Sequence, residues 1–389
     1  MIYLLFLITR NYVNIIGRLH MSWTKRDRVL AVLNREIPDR VPIFDLLLND
    51  DVLKYFYRKP ITVGDEEAWI RASSKCLDLC HPAIKGMPFE PGEVLLPDGT
   101  RRVYERWTFW NIPPKNWTLE DLVEKIKTEI EEYEAYKPKP EDIKAYKEHV
   151  KRINEWADSM VYIHIGISAA FLPGTIEQGI YLYTDYPKLV ERWARVRDKA
   201  TLQWIEAVAD PTDSPVAIIW NDIAFKENLI YPISLLEKLL FPSIYEFCHS
   251  LHSKGIKVIF HSDGNVSKAM DALISCGIDG FNPLEISAGM DYESFKGKYG
   301  DKIVLVGGLD AVEILSFATP EIVISETKRF LEIAGKGGGL ISASSSGQLD
   351  NSMPFENIMA YFKTVWRYIY KDDRKLYSLG EDFGVDGKL

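Results

Sequence analysis

Short apolar segments alternate with longer amphipathic segments along the chain from residue 24 onward. The apolar segments are rich in β-branched and aromatic residues, which predicts strands, whereas the amphipathic segments have the 3.6-residue period of helices. The predicted strands are 41–44, 76–80, 161–165, 216–220, 257–260, 279–282, 303–306 and 339–342. Because parallel strands need a crossover between them, helices interleaved with strands predict a parallel sheet.

Eight such units in one series favour a single closed (β/α)8 TIM barrel, which we place at residues 21–371. An open doubly wound sheet would more often carry a glycine-rich phosphate loop after its first strand, and the sequence has neither that loop nor a Walker motif. An insertion follows the second strand. The turn residues 97–99 lie between two β-prone arms and predict a β-hairpin, and the charged segment 118–158 predicts two helices divided by Pro138 and Pro140.

The two ends of the sequence differ from this pattern. We expect residues 1–20 to be an N-terminal extension, with Met21 as the natural chain start. The apolar patch at residues 2–8 is too short to span a bilayer. Residues 372–389 are expected to form a polar C-terminal tail.

The charge and the cysteine content limit the partners and the compartment. The net charge of -9 argues against a nucleic-acid partner, and no cluster of Lys and Arg favours a membrane surface. The four cysteines are too few and too scattered for a disulfide framework, which fits a reducing cytoplasm. We therefore expect a cytoplasmic protein that acts on a small molecule. The sequence leaves its oligomeric state open.

Polar residues follow most of the predicted strands, which is where the chemistry of a barrel lies. These residues are Asp45, His81, His164, Asp222, His261, Asp263, Glu285 and Asp310. We interpret Asp45 and His81 as structural. The strongest pair is His261 and Asp263, which can point to one centre as a general acid/base or as metal ligands. In the alternative interpretation Asp263 caps the next helix and His261 bonds to the backbone.

The candidate site divides into three sets of residues. The predicted catalytic residues are His261, Asp263, Asp222 and Glu285. The predicted substrate-binding residues are His164, Asn221, Asn282, Asp310 and Ser344. The predicted metal ligands are His261 and Asp263. No cysteine lies near His261 in the sequence. A site made of His261, Asp263 and one further carboxylate would suit a harder ion than zinc, or the site holds no metal.

Five short motifs in a fixed order resemble the uroporphyrinogen decarboxylase superfamily, which includes corrinoid-linked methyltransferases. They are Pro-Asp-Arg-Val-Pro at 38–42, Asn-Asp-Ile-Ala at 221–224, His-Ser-Asp-Gly-Asn at 261–265, Asn-Pro-Leu-Glu at 282–285 and Met-Pro-Phe-Glu-Asn at 353–357. The resemblance implies a (β/α)8 barrel, in agreement with the strand count.

The resemblance is nearer to the methyltransferase branch. Uroporphyrinogen decarboxylases carry an Arg-Gln-Ala-Gly-Arg segment after the first strand, whereas residues 44–50 here contain no arginine for the carboxylates of a porphyrinogen. The methyltransferases hold a zinc ion with His-x-Cys and a later cysteine. In this chain His261 matches the histidine, but Asp263 and Gly347 stand at the cysteine positions. Zinc-thiolate activation is therefore not expected.

The resemblance leads to one expected function and two alternatives. We expect methyl transfer between a small methylated or methoxylated substrate and a corrinoid (cobalamin) on a partner protein, with a divalent ion, zinc among the candidates, at His261 and Asp263. The first alternative is a lyase, the decarboxylase of uroporphyrinogen III in porphyrin biosynthesis. The second is a non-catalytic barrel that binds a tetrapyrrole.

Overall fold

The computed structural model describes residues 23–114, 118–371 and 375–378. Helices alternate with parallel strands, which confirms the α/β class. The predicted extension at 1–20 and most of the predicted tail at 372–389 lie outside the described residues. No helix in the described part of the chain is both long and apolar enough for a bilayer span.

The helices are α1 (Lys25–Leu33), α2 (Asp50–Tyr57), α3 (Glu66–Ser73), α4 (Leu119–Ala135), α5 (Pro140–Ala157), α6 (Ile176–Asp185), α7 (Pro187–Val208), α8 (Ile233–Leu239), α9 (Phe241–Ser253), α10 (Met270–Ser275), α11 (Tyr292–Tyr299), α12 (Pro320–Ala334) and α13 (Phe355–Trp366). A 3-10 turn covers Ile286–Ala288 and a π-helical turn covers Ala311–Leu315.

The strands are β1 (Phe44–Leu47), β2 (Leu79–Cys80), β3 (Gly92–Leu95), β4 (Arg101–Glu105), β5 (Thr108–Ile112), β6 (Val161–Tyr162), β7 (Ile165–Ile167), β8 (Val216–Trp220), β9 (Lys257–His261), β10 (Gly280–Asn282), β11 (Val304–Val306), β12 (Leu340–Ile341), β13 (Gln348–Leu349), β14 (Tyr368–Tyr370) and β15 (Leu376–Ser378).

Two parallel sheets form the centre of the fold, in the orders β13-β1-β2-β6 and β12-β11-β10-β9-β8-β7. Strands β6 and β7 belong to one short segment of chain, so this segment connects the sheets at one side. At the other side Phe44 N–H donates to the Ser342 carbonyl and Ser342 N–H donates to the Pro42 carbonyl, both at 2.9 Å. Hydrogen bonds thus also join the first strand segment to the last.

Side chains from the parallel strands form a buried cluster between the two sheets. Alternate residues of β8 show the pattern, because Val216 and Ile218 belong to this cluster while Ala217 and Ile219 pack in the layer of apolar side chains that includes the helices. Each strand is therefore apolar on both faces, as in a parallel sheet covered by helices. Helix α1, with its Thr24–Asp27 capping box, packs Val29 and Val32 against the inner cluster.

Two predicted strand positions are wrong. The first strand starts at Phe44 and not at residue 41, so Asp45 lies within the strand and not after it. His164 was expected at a strand end, but β7 follows it and pairs with β8, and the His164 ring instead bonds to Asn154 on α5. Both errors arise because the apolar runs mark buried positions, while strand ends depend on hydrogen-bond pairing.

The predicted insertion is confirmed and is larger than expected. A turn at residues 97–99 connects β3 to β4, and β5 adds a third antiparallel strand. Helices α4 and α5 follow, with the break between them at residues 136–139, where Pro138 ends the first and Pro140 begins the second.

An ion-pair network around Asp78, the residue before β2, involves arginines that precede β1. Asp78 is fully buried and accepts hydrogen bonds from both terminal nitrogens of Arg40 at 2.8 Å and from Ile43 N–H at 2.9 Å. Arg28 adds a longer contact of 3.5 Å. Removing the carboxylate would leave the partly buried Arg40 guanidinium without its carboxylate partner, whereas Arg28 would keep its ion pair with Asp39.

We therefore expect Asp78→Ala to lower the free energy of unfolding by about 3 to 5 kcal/mol in urea titrations at neutral pH. Asp271→Ala is the matched control. Its ion pair with Lys298 is exposed, and we expect a change below about 1 kcal/mol. Equal effects of the two substitutions would show that the Asp78 network does not stabilise the fold.

Candidate functional site

The candidate site is built around His261, the last residue of β9. Its Nδ1 lies 2.7 Å from Asn282 Oδ1, at the end of the neighbouring strand β10. The Asn282 amide nitrogen donates to the Val306 carbonyl at 2.8 Å, which turns Oδ1 towards the imidazole. His261 Nδ1 must therefore carry the proton, because Oδ1 can only accept. Nε2 keeps its lone pair for a metal ion or a proton.

Two carboxylates lie beside this lone pair. His261 Nε2 is 3.8 Å from Asp263 Oδ1, and Asp222 completes a group whose ligand atoms all lie within 4.8 Å of one another. The Asp263 N–H donates to Asp222 Oδ1 at 3.1 Å, so the loops after β8 and β9 hold each other in place. The geometry therefore offers one nitrogen and two carboxylates to a single ion.

The environment of Asp263 favours its protonated form. Burial raises the pKa of this carboxyl above its usual value, and the negative charges of Asp222 and Glu285 raise it further. The His261 side chain opposes this rise. A bound cation would favour the ionised carboxylate, so metal binding at this group would release protons and would strengthen as the pH rises.

Gly264 lets the loop after β9 pass close to the loop after β8. Its φ is +79°, and an added Cβ would lie 2.5 Å from the Phe225 carbonyl oxygen, so a larger residue would not fit. The Gly264 N–H donates to Glu285 Oε2 at 2.7 Å, and Ser287 occupies the other carboxylate oxygen. Glu285, predicted to be catalytic, thus holds the loop that carries Asp263.

Asn221 has a similar positioning role. Its side-chain amide exchanges two hydrogen bonds of 3.1 Å with the backbone of Ala169 and donates to the Ser168 hydroxyl at 3.2 Å. It ties the loop after β7 to the loop that carries Asp222. The amide that was predicted to bind substrate is therefore occupied by the protein itself.

Three other predicted substrate-binding residues lie outside the His261 group. His164 faces α5, and burial lowers the pKa of its imidazole to about 3. Asp310 caps the π-helical turn, accepting from Glu313 N–H at 2.6 Å. Ser344 donates to Asp45 at 2.9 Å beneath the strand ends. The alternative in which Asp263 caps a helix is wrong, because α10 begins only at Met270 and has no side-chain cap.

His81, which we interpreted from the sequence as structural, lies beside His261 in the candidate site. Its ring stacks on Trp220 at 5.1 Å and meets the His261 ring edge to face at 6.4 Å. Burial lowers the pKa of His81 to about 4, so it is neutral and forms an apolar wall with Trp220. Its position directly after β2 was the available signal.

Gly347 also faces the imidazole. A Cβ at this position would lie 3.3 Å from His261 Cε1, so the position that the motif comparison matched to a cysteine ligand is next to the ring but supplies no donor atom. All four cysteines are buried, and burial raises the pKa of each thiol. None belongs to the one metal-capable group found among the described residues. The donors therefore fit a divalent ion bound by nitrogen and oxygen, and not a zinc thiolate.

The sequence and the fold were compared with known proteins. Residues 182–368, which carry β8 to β13 and the whole His261 group, match the model of the family "Uroporphyrinogen decarboxylase (URO-D)". This match confirms the resemblance of the chain to the uroporphyrinogen decarboxylase superfamily. No curated protein matches the sequence.

Among solved structures, a methyltransferase from Methanosarcina mazei superposes with a TM-score of 0.63 at 15% identity, covering 88% of this chain and 98% of that one. This likeness supports the fold. A xylose isomerase domain protein from Alicyclobacillus acidocaldarius has a TM-score of 0.32 at 12% identity, covering 65% of this chain and 92% of that one. The latter score is too low to carry an argument.

The donor set leads to a metal-binding prediction. We expect the purified protein to bind one Mn²⁺ ion in calorimetric titrations. His261→Ala and Asp222→Asn should each weaken binding at least about tenfold, because each removes a ligand. Asp310→Asn is the control, since this carboxylate follows a strand but lies outside the group. Unchanged binding in both ligand variants would exclude the site.

Asp45 leads to a second prediction, on the pH dependence of stability. This carboxylate is fully buried, and burial raises its pKa to about 7 although Ser344 donates two hydrogen bonds to it. The unfolded chain loses this proton near pH 4, roughly its unperturbed value. The folded state therefore binds the proton more tightly, and the contribution of Asp45 to stability falls as the pH rises from about 4 to about 7.

We expect Asp45→Asn to remove this contribution, so that its urea unfolding free energy declines less between pH 5 and pH 7 than that of the wild type. Asp310→Asn is again the control, because this carboxylate is not fully buried and should leave the slope unchanged. A slope in Asp45→Asn equal to that of the wild type would contradict the assignment.

Proposed function

We propose that this protein is a (β/α)8-barrel methyltransferase that moves a methyl group from a small substrate to a corrinoid held by a partner protein. The barrel is supported by the strand pairing within each parallel sheet, by the short segment from β6 to β7 that joins the sheets at one side, and by the hydrogen bonds between residues 42–44 and Ser342 at the other side. The inner cluster, with side chains from strands of both sheets, supports the same closure.

The observation that carries the proposal is the free Nε2 of His261 beside Asp222 and Asp263, at the carboxyl ends of β8 and β9. These three residues would hold a divalent ion, which would act as a Lewis acid on the heteroatom from which the methyl group is removed. Asn282 fixes the imidazole tautomer, and Glu285 holds the loop that carries Asp263. The chain thus supplies ligands that are already oriented.

The electrostatics of the site select the substrate. A reduced corrinoid on the partner would supply the nucleophile that takes the methyl group, the heteroatom would keep the electron pair of the broken bond, and the heteroatom of a neutral donor would also take a proton. The carboxylates of Asp222, Asp263 and Glu285 lie close together, so they disfavour anionic substrates. His81 and Trp220 offer an apolar wall for a methyl or aryl group. We therefore propose neutral or cationic methyl donors.

Decarboxylation of uroporphyrinogen is the second candidate, and the family match favours it. The substrate has eight carboxylates and needs cationic partners. The carboxylate group at the candidate site instead repels it, and residues 44–50 supply no arginine. A non-catalytic tetrapyrrole-binding barrel is the third candidate, but an oriented imidazole beside two carboxylates is more than simple binding requires.

The test of methyl transfer is the reaction of the protein with chemically reduced cobalamin and a panel of methoxylated aromatics and methylated amines. We expect the absorbance of methylcobalamin to appear with at least one donor. His261→Ala should slow its formation at least about a hundredfold. His249→Ala is the control, because this exposed imidazole stacks on Tyr245 on the outside of α9.

The opposite outcomes separate the three candidates. Coproporphyrinogen formed from uroporphyrinogen, with no methylcobalamin from any donor, would establish the decarboxylase. Tight cobalamin binding that His261→Ala leaves unchanged, with no turnover of either kind, would establish the binding module.

A further inference from the structure

A second cavity lies between α7 on one side and α8 and α9 on the other, outside the His261 group. Its volume is about 300 Å³. Asp198 of α7 contributes to its lining and is only 3% exposed, whereas Arg195, Lys238 and Glu246 of the lining are exposed. A buried carboxylate inside a cavity with a charged rim is typical of a ligand-binding site. The function proposed above does not use this cavity.

Only one of the two oxygens of the Asp198 carboxylate accepts a hydrogen bond of acceptable geometry. Its Oδ1 accepts from Ala170 N–H at 2.8 Å. Its Oδ2 is buried and has no partner of acceptable hydrogen-bond geometry among the described residues. Burial raises the pKa of Asp198 to about 6, although the nearby Ser243 hydroxyl and the Ala170 N–H oppose that rise. A buried carboxylate oxygen without a donor is costly, so it favours a ligand that brings one.

The charges around Asp198 favour an organic ammonium over a metal ion. Glu191 is occupied by Lys238 at 2.8 Å, which leaves Glu246 as the second carboxylate near Asp198. The carboxylate oxygens of Glu191, Asp198 and Glu246 do not come close enough together to bind one metal ion. Among the described residues, only the group of Asp222, His261 and Asp263 brings its ligand atoms that close. An ammonium needs no such convergence, because its N–H groups can donate in separate directions.

A carboxylate on the same ligand would also find a partner. The Arg195 guanidinium lines the cavity and makes no hydrogen bond or ion pair within the described residues, although its charge acts on Glu191. Ala194, Leu239 and Pro242 supply apolar lining for a side chain. The cavity therefore offers an acceptor for an ammonium, a donor for a carboxylate and an apolar wall.

We propose that this cavity binds a small α-amino acid with an apolar side chain, its ammonium on Asp198 and its carboxylate on Arg195. Ala170, which Asp198 holds, follows Ala169, which Asn221 clamps next to Asp222. A ligand here would therefore contact the residue that supports the loop after β7, behind the candidate site.

The test measures binding of three matched probes to the full-length protein by ligand-observed NMR. L-Valine carries both charged groups, isobutylamine lacks the carboxylate and isovalerate lacks the ammonium. We expect L-valine to bind, isobutylamine to bind more weakly and isovalerate not to bind. Asp198→Asn should weaken L-valine at least about tenfold, because it removes a hydrogen bond between charged groups. Arg195→Ala should weaken L-valine but not isobutylamine.

Glu237→Gln is the control, since it lies on α8 beside Lys238 but does not line the cavity. Glu246→Gln is the second acidic variant, should Asp198→Asn prove unstable, and it should weaken isobutylamine. Failure of all three probes to bind would overturn the proposal, as would isovalerate binding as well as L-valine, or L-valine binding that Asp198→Asn leaves unchanged. Because binding is measured without turnover, a negative methyl-transfer assay does not affect this result.

Discussion

The hydrogen bond between His261 and Asn282 is the constraint on which the site depends. It joins the ends of two neighbouring parallel strands, β9 and β10, and the Val306 carbonyl of β11 fixes the direction of the amide. Parallel pairing sets the register of these strands, so the imidazole cannot change its tautomer without breaking a partly buried hydrogen bond. Because the sheet holds the His261 ring in place, the free Nε2 needs little reorganisation to bind an ion or a proton.

The loops above the sheet extend this order to the carboxylates. Backbone N–H groups of Asp263 and Gly264 bind the side chains of Asp222 and Glu285, so each acidic residue holds a neighbouring loop. This arrangement concentrates negative charge, which adds to the rise in the pKa of Asp263 that burial causes. This concentration of negative charge favours cations over polycarboxylates at the candidate site.

The sequence was sufficient to predict the α/β class, the order of most elements and the identity of the central pair, His261 and Asp263. These features depend on local periodicity and on residues that directly follow an apolar run. The environment of His164 could not be predicted from the sequence. The direction of its side chain, towards the helices or towards the carboxyl ends of the strands, depends on strand pairing with distant segments. The roles of Asn221 and Glu285 as loop supports depend on contacts with chain segments at least twenty residues away. His81 was visible in the sequence, but its stacking on Trp220 beside His261 was not.

Gly347 bears on how such a site can change over time. The residue adopts a φ of +69°, where any residue with a Cβ is strained by about 1 to 2 kcal/mol, and a side chain there would also press on the His261 ring. A single mutation that places a thiol at this position would thus meet backbone strain and crowding before it gained a bond to an ion. A thiol at this position would therefore need the loop around residue 347 to move, so local sterics oppose sulfur ligation beside His261.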